Sequence, residues 1–173
     1  MAADEQMAKS KLTLHVLMIC LGNICRSPTA HGVVEKYIHD RGLSEYIKVD
    51  SAGTGDWHIG EPPDSRSQEA AARRGYDLSR QRARQVEAID FHRFDYVLAM
   101  DTTNLRDLQR LCPEEFQLNL SLFLNFGSSH YESVPDPYYS GTQGFELVLD
   151  LVEEASNNLL DHIVKHYELP ADH

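Results

Sequence analysis

The sequence predicts an α/β fold: one three-layer domain with a four-stranded parallel sheet flanked by helices on both faces. Two observations carry that prediction. Short apolar runs, rich in β-branched residues and closed by turn residues, alternate with longer segments whose apolar positions recur at helical spacing. No internal repeat, low-complexity tract or long linker divides the 173 residues, a length suited to one domain with a substantial core.

The elements follow in order. Residues 1–11 are polar and read as a disordered lead, residues 12–168 as the domain, and residues 169–173 as a short tail. Leu14-His15-Val16-Leu17-Met18-Ile19 has the composition of a strand buried on both faces. After Pro28, the apolar positions Ala30, Val33, Val34, Tyr37 and Ile38 mark a helix that runs to Gly42. Tyr46 to Asp50 alternates as a strand does, and a loop rich in Gly and Pro follows from Ala52 to Pro63. Ser65 to Arg74 is helical in composition and stops at Gly75. Asp95 to Met100 reads as a third buried strand, Asn104 to Leu111 as a helix ended by Pro113, and Gln117 to Leu120 as a weak fourth strand. Phe145, Val148, Leu149, Val152, Leu159, Leu160 and Ile163 lie on one stripe of a long last helix.

The net charge is −11, from 16 basic and 27 acidic residues, which disfavours nucleic acid or an anionic membrane as a partner. No apolar stretch approaches a membrane span and no signal-peptide pattern opens the chain, so the cytoplasm is the expected compartment. Three cysteines, Cys20, Cys25 and Cys112, are too few and too scattered for a disulfide framework. The nine histidines show no metal-ligand spacing, so no metal or other cofactor is expected. His15, His31 and His92 read as core-edge or surface residues.

The segment Cys20-Leu21-Gly22-Asn23-Ile24-Cys25-Arg26-Ser27-Pro28 carries the chemistry. It lies between the first strand and the first helix, at the carboxyl edge of the sheet, where α/β proteins bind ligands. Ser27 is a favoured N-cap and Pro28 a favoured first helical residue. Gly22 and Asn23 tolerate the left-handed backbone of a tight cradle, whose N–H groups form an anion nest backed by the helix terminus. A thiol at the first position of such a nest is favoured as thiolate by the amides, the helix and Arg26. Arg26 offers a planar fork of donors to two phosphate oxygens, and Ser27 can donate its hydroxyl to the sulfur. A nucleotide-binding P-loop would need a Lys before the Ser, which is absent.

In the form Cys-x5-Arg-Ser, this segment resembles the low-molecular-weight protein tyrosine phosphatase family. The resemblance continues through Asp50-Ser51-Ala52-Gly53-Thr54, Trp57, Pro62-Pro63-Asp64, Ala83-Arg84-Gln85, Asp95-Tyr96-Val97, Asp101, Asn104 to Leu108 and Asp136-Pro137-Tyr138-Tyr139. It implies that Cys20 is the nucleophile, Arg26 the phosphate clamp and Asp136 the general acid, then base, of a two-step hydrolysis of phosphotyrosine. It implies further that Trp57, Tyr138 and Tyr139 line the substrate pocket and that Ser51 and Asn23 brace the loop. Gln81 stands where the family often has a histidine, a departure, since glutamine can donate and accept but carries no charge. The resemblance also suggests a reversible Cys20–Cys25 disulfide under oxidation, and phosphorylation of Tyr138 and Tyr139.

Expected partners are phosphotyrosine-containing proteins, a tyrosine kinase among the candidates, with the chain itself a monomer or weak dimer. Two alternatives stand beside this reading. A protein arginine phosphatase of the same fold is disfavoured by Ile24 and the paired tyrosines. A non-catalytic phosphate-binding module would need neither Cys20 nor Asp136.

Overall fold

The computed structural model describes residues 13–137 and 141–170. Strands β1 (Leu14–Cys20), β2 (Ile47–Gly53), β3 (Tyr96–Ala99) and β4 (Leu120–Leu122) form one parallel sheet in the order β2-β1-β3-β4. Along β1, Val16, Met18 and Cys20 point into one apolar cluster and Leu17 and Ile19 into another. That alternation is the two-residue period of a strand with no solvent-facing side.

Helices α1 (Arg26–Asp40), α2 (Ser65–Arg73) and α5 (Gly141–His166) cover the first face, where Ala30, Val33, Val34, Val152, Leu159 and Ile163 are buried. The short α3 (Asp90–Arg93) and α4 (Thr102–Leu111) cover the second, packing Phe91 and Leu108 on Leu17, Ile19 and Val97. Gly32 lets α1 approach the segment after α2: a Cβ there would stand 2.3 Å from Leu78 Cδ2. Among the described residues, no helix is long and apolar enough to cross a membrane.

Three local expectations are corrected. Strand β2 runs on to Gly53, through residues assigned above to the loop, because its last residues pair with Ile19 and Cys20 of β1. The fourth strand is Leu120–Leu122; Glu114–Asn119 forms a 3₁₀ turn instead, started after Pro113. Helix α1 begins at Arg26, with Cys25 in the N-cap position and no side-chain cap, so Ser27 and Pro28 lie inside the first turn. The Ser27 hydroxyl is used elsewhere.

Candidate active site

The loop from Cys20 to Ser27 closes on itself around the Cys20 sulfur. Asn23 adopts the left-handed backbone, φ 58°, while Gly22 does not. That turn aims the Asn23 N–H at Cys20 Sγ, 3.3 Å away. The Ser27 hydroxyl lies 3.0 Å from the same sulfur. A count of donors fixes the direction of that bond. Asn23 Oδ1 accepts from the Arg84 backbone N–H at 3.0 Å, so the Asn23 amide NH2 is what faces Ser27 Oγ at 2.9 Å. Ser27 Oγ therefore accepts from Asn23, and its single proton is available to the sulfur. Ser27 Oγ is directed into the loop, against Cys20 and Asn23, and not at the free N–H groups of the helix terminus, which is the physical reason the local capping rule fails here.

The segment after β2 supports the loop from outside. Thr54 N–H donates to Cys20 O at 3.0 Å and Gly55 N–H to Leu21 O at 2.9 Å. The approach is close enough to require glycine at 53, where a Cβ would stand 2.7 Å from Leu21 O. Arg84 ties the outer layer together, with its guanidinium on Asp50 and Asp90 and its backbone on Asn23 and Gly53.

Arg26 is buried, and its Nη1 is held by Asp101 Oδ2 at 2.6 Å and by Val134 O at 3.2 Å. Burial opposes its charge, but Cys20, Asp101 and Asp136 outweigh that and move its pKa above the ordinary value. Asp101 also caps α4, with Oδ1 accepting from Asn104 N–H at 2.7 Å. The loop bearing Asp136 is pinned by Val134, which is buried and donates its N–H to Met100 O at 2.7 Å. Asp136 itself is exposed at the pocket.

One cavity of about 240 Å³ is lined by Cys20, Leu21, Gly22, Ile24, Cys25 and Arg26 of the loop together with Trp57, His58 and Asp136. Trp57 is 69% exposed, so it stands at the rim and is not core packing. Tyr138 and Tyr139 lie outside the described residues. Cys25 is buried beside Cys20, and burial above all pushes its thiol up to about 12. Ser51 and Gln81 reach the loop indirectly: Ser51 Oγ lies 3.4 Å from Gln81 Oε1, and Gln81 Nε2 donates to Pro28 O at 2.9 Å.

Sequence reasoning gave no role to Asp101, Arg84 or His58. Asp101 carried a signal, an acidic residue at the carboxyl end of a buried strand just before a helix. His58, next to Trp57, lines the pocket with Nδ1 against Glu61 Oε2 at 2.5 Å. The sequence offered nothing to separate it from the other histidines.

A parallel α/β sheet with a thiol at the floor of a strand–loop–helix anion cradle, an arginine at its side and a carboxyl at its mouth defines a class of cysteine-centred phosphate sites. The profile of the low molecular weight phosphotyrosine protein phosphatases matches residues 15–169, and the chain belongs to that family. It is 41% identical over 161 residues to a low molecular weight protein-tyrosine-phosphatase of Streptomyces coelicolor, spanning 91% of this chain and 98% of the relative. A human low molecular weight phosphotyrosine protein phosphatase is 42% identical over 146 residues, spanning 83% of this chain and 89% of the relative. The crystal structure of a protein tyrosine phosphatase from Entamoeba histolytica superposes with a TM-score of 0.86 at 39% identity, covering 89% of this chain and 99% of that one.

Proposed function

We propose that the protein hydrolyses phosphotyrosine in proteins through a phosphocysteine intermediate at Cys20. The observation that carries the reading is the convergence on Cys20 Sγ of the Asn23 N–H and the Ser27 hydroxyl, in one pocket with Arg26 and Asp136. The phosphate enters the cradle, where loop amides and the remaining donors of Arg26 bind its oxygens. The Cys20 thiolate attacks phosphorus, the P–O bond to the ring breaks, and Asp136 gives its proton to the departing phenolate. Asp136, now a carboxylate, takes a proton from water as that water attacks the phosphocysteine. The S–P bond breaks, and Ser27 donates to the leaving thiolate.

Trp57 at the rim supplies a wall for an aromatic ring, which suits phosphotyrosine over the shorter phosphoserine. Tyr138 and Tyr139 are proposed as further walls on family membership alone. The three cysteines are free in the structure, which suits a reducing cytoplasm. Among substrates of this chemistry, a tyrosine kinase bearing its own phosphotyrosines is one candidate.

The test is hydrolysis of phosphotyrosine, phosphoserine and phosphoarginine peptides, without added metal, by the parent and by Cys20→Ser. Turnover of phosphotyrosine, lost in the variant, is expected. A preference for phosphoarginine moves the protein to a different substrate class. No turnover of any peptide leaves a phosphate-binding module.

A further inference from the structure

Trp57 is the only tryptophan in the chain and is 69% exposed, a position at which a side chain ordinarily hops freely between rotamers. Here its ring has a seat. A Cβ on Gly55 would stand 2.0 Å from Trp57 Cζ3, 2.4 Å from Cε3 and 3.1 Å from Cη2. The benzo edge of the indole therefore lies against the Gly55 Cα, in space that a side chain at 55 would fill. Gly55 is not among the glycines with positive φ, so its backbone does not call for glycine. The ring does.

The seat is tied to the residue that carries the reacting sulfur. Gly55 N–H donates to Leu21 O at 2.9 Å and Thr54 N–H to Cys20 O at 3.0 Å, so Gly55 is fixed to the start of the phosphate loop. The far side of Trp57 is held as well. Gly60 N–H donates to Ala83 O and Ala83 N–H to Glu61 O, each at 2.8 Å. His58 Nδ1 meets Glu61 Oε2 at 2.5 Å, and its Cδ2 edge reaches the loop at Gly22, where a Cβ would stand 3.1 Å from it. With the chain held on both sides, the Trp57 ring leaves Gly55 most cheaply by turning about its own side-chain bonds into solvent.

We infer that Gly55 is a positioning residue for substrate choice: by lacking a Cβ it seats the Trp57 indole at a fixed place relative to Cys20, so that the wall for an aromatic ring stands ready before a substrate binds. A wall ordered in advance spares the entropy of ordering it on binding. The ring of a phosphotyrosine gains stacking or edge contact from it, and inorganic phosphate, which has no ring, gains nothing. The effect on activity rests on the phosphotyrosine reading; the seat itself does not.

Alanine at 55 keeps the N–H that binds Leu21 O and fills the seat. Because Trp57 is the only tryptophan, its fluorescence reports the ring directly. Gly55→Ala should lower the anisotropy of that emission, and an unchanged anisotropy overturns the seat. For a phosphotyrosine peptide, KM should rise about 2- to 10-fold with kcat little changed. Inhibition by inorganic phosphate should keep the parent's constant. Equal losses for peptide and phosphate would show that alanine disturbs the phosphate loop and not the wall, and refute the proposal.

A cycle with Trp57→Ala separates action through the ring from any other effect. Adding Gly55→Ala to Trp57→Ala should leave KM where Trp57→Ala put it, and additive losses refute the positioning role. Should Gly55→Ala alone fail to fold, the double variant, which removes the collision, should fold; a double variant equally unfolded refutes the seat. If no peptide is hydrolysed at all, the phosphatase reading fails, and dissociation constants for the same peptide and for phosphate take the place of KM and the inhibition constant. A loss confined to the peptide in Gly55→Ala still supports the wall, and the lack of one overturns it.

Discussion

Replacing Asp101 separates two tasks performed by one carboxylate. Its Oδ2 takes Nη1 of Arg26 at 2.6 Å and its Oδ1 takes the Asn104 N–H at 2.7 Å. Asparagine is as good an N-cap as aspartate, so Asp101→Asn can present its carbonyl to Asn104 and keep α4 started. Its other group is then an NH2 facing the Nη1 donor, and the contact with Arg26 is lost. Hydrogen bonds to charged groups contribute about 1.5–3 kcal/mol. Asp101 is 24% exposed and Arg26 only 8%, so solvent screens the pair little. If Arg26 must be held in place to bind phosphate, kcat/KM should fall by about 10- to 150-fold. Asp101→Ala removes the cap as well and should cost about 1 kcal/mol more in folding stability. The assay is kcat/KM with a phosphotyrosine peptide, alongside urea unfolding of both variants. Asp101→Asn with the parent's kcat/KM would show that Asp101 does not position Arg26. An Asn variant as unstable as the Ala variant would show that the cap is not preserved.

Three further outcomes follow from the same geometry. Burial pushes Cys25 from 9.0 to about 12 in the folded chain, so its stabilising contribution is full below pH 9 and lost as pH rises toward 12. At about 1.4 kcal/mol per pH unit, urea midpoints should drop more steeply over that range in the parent than in Cys25→Ala, and parallel curves would contradict the shift. Ser27→Ala removes the proton that Ser27 can give to Cys20 Sγ, so an aryl phosphate should show a burst of phenol followed by turnover about 10-fold slower or more; an unchanged steady rate would count against that role. Gly32→Ala sets a Cβ 2.3 Å from Leu78 Cδ2, with both residues buried, and should destabilise by about 1–3 kcal/mol. A raised melting temperature, the usual result of Gly→Ala within a helix, would mean that α1 moves freely there.

The sheet was legible in the sequence wherever a strand is buried on both faces. Leu14 to Ile19 and Tyr96 to Ala99 have apolar runs that little else in a soluble chain explains. The fourth strand was misplaced because three residues at a sheet edge are too few to show a period, and Glu114–Asn119 takes a 3₁₀ turn that no pattern announced. Tertiary contact also overrode a local rule at Ser27, whose hydroxyl lies against Cys20 and Asn23 instead of capping a helix.

By itself, the sequence determined the class of fold and the anion loop, because strand, turn, arginine and helix start are contiguous and their chemistry follows from spacing. The rest was decided by tertiary structure. Arg26 meets Asp101 75 positions along the chain, Asn23 meets Arg84 at 61, and Arg26 meets Val134 at 108. Contacts of that range arise only because the order β2-β1-β3-β4 brings the carboxyl ends of β1, β2 and β3 together. The folded chain brings Asp136, which the family resemblance had singled out from 27 acidic residues, into one pocket with Cys20 and Arg26, and it sets His58 apart from the other histidines as a residue of that pocket.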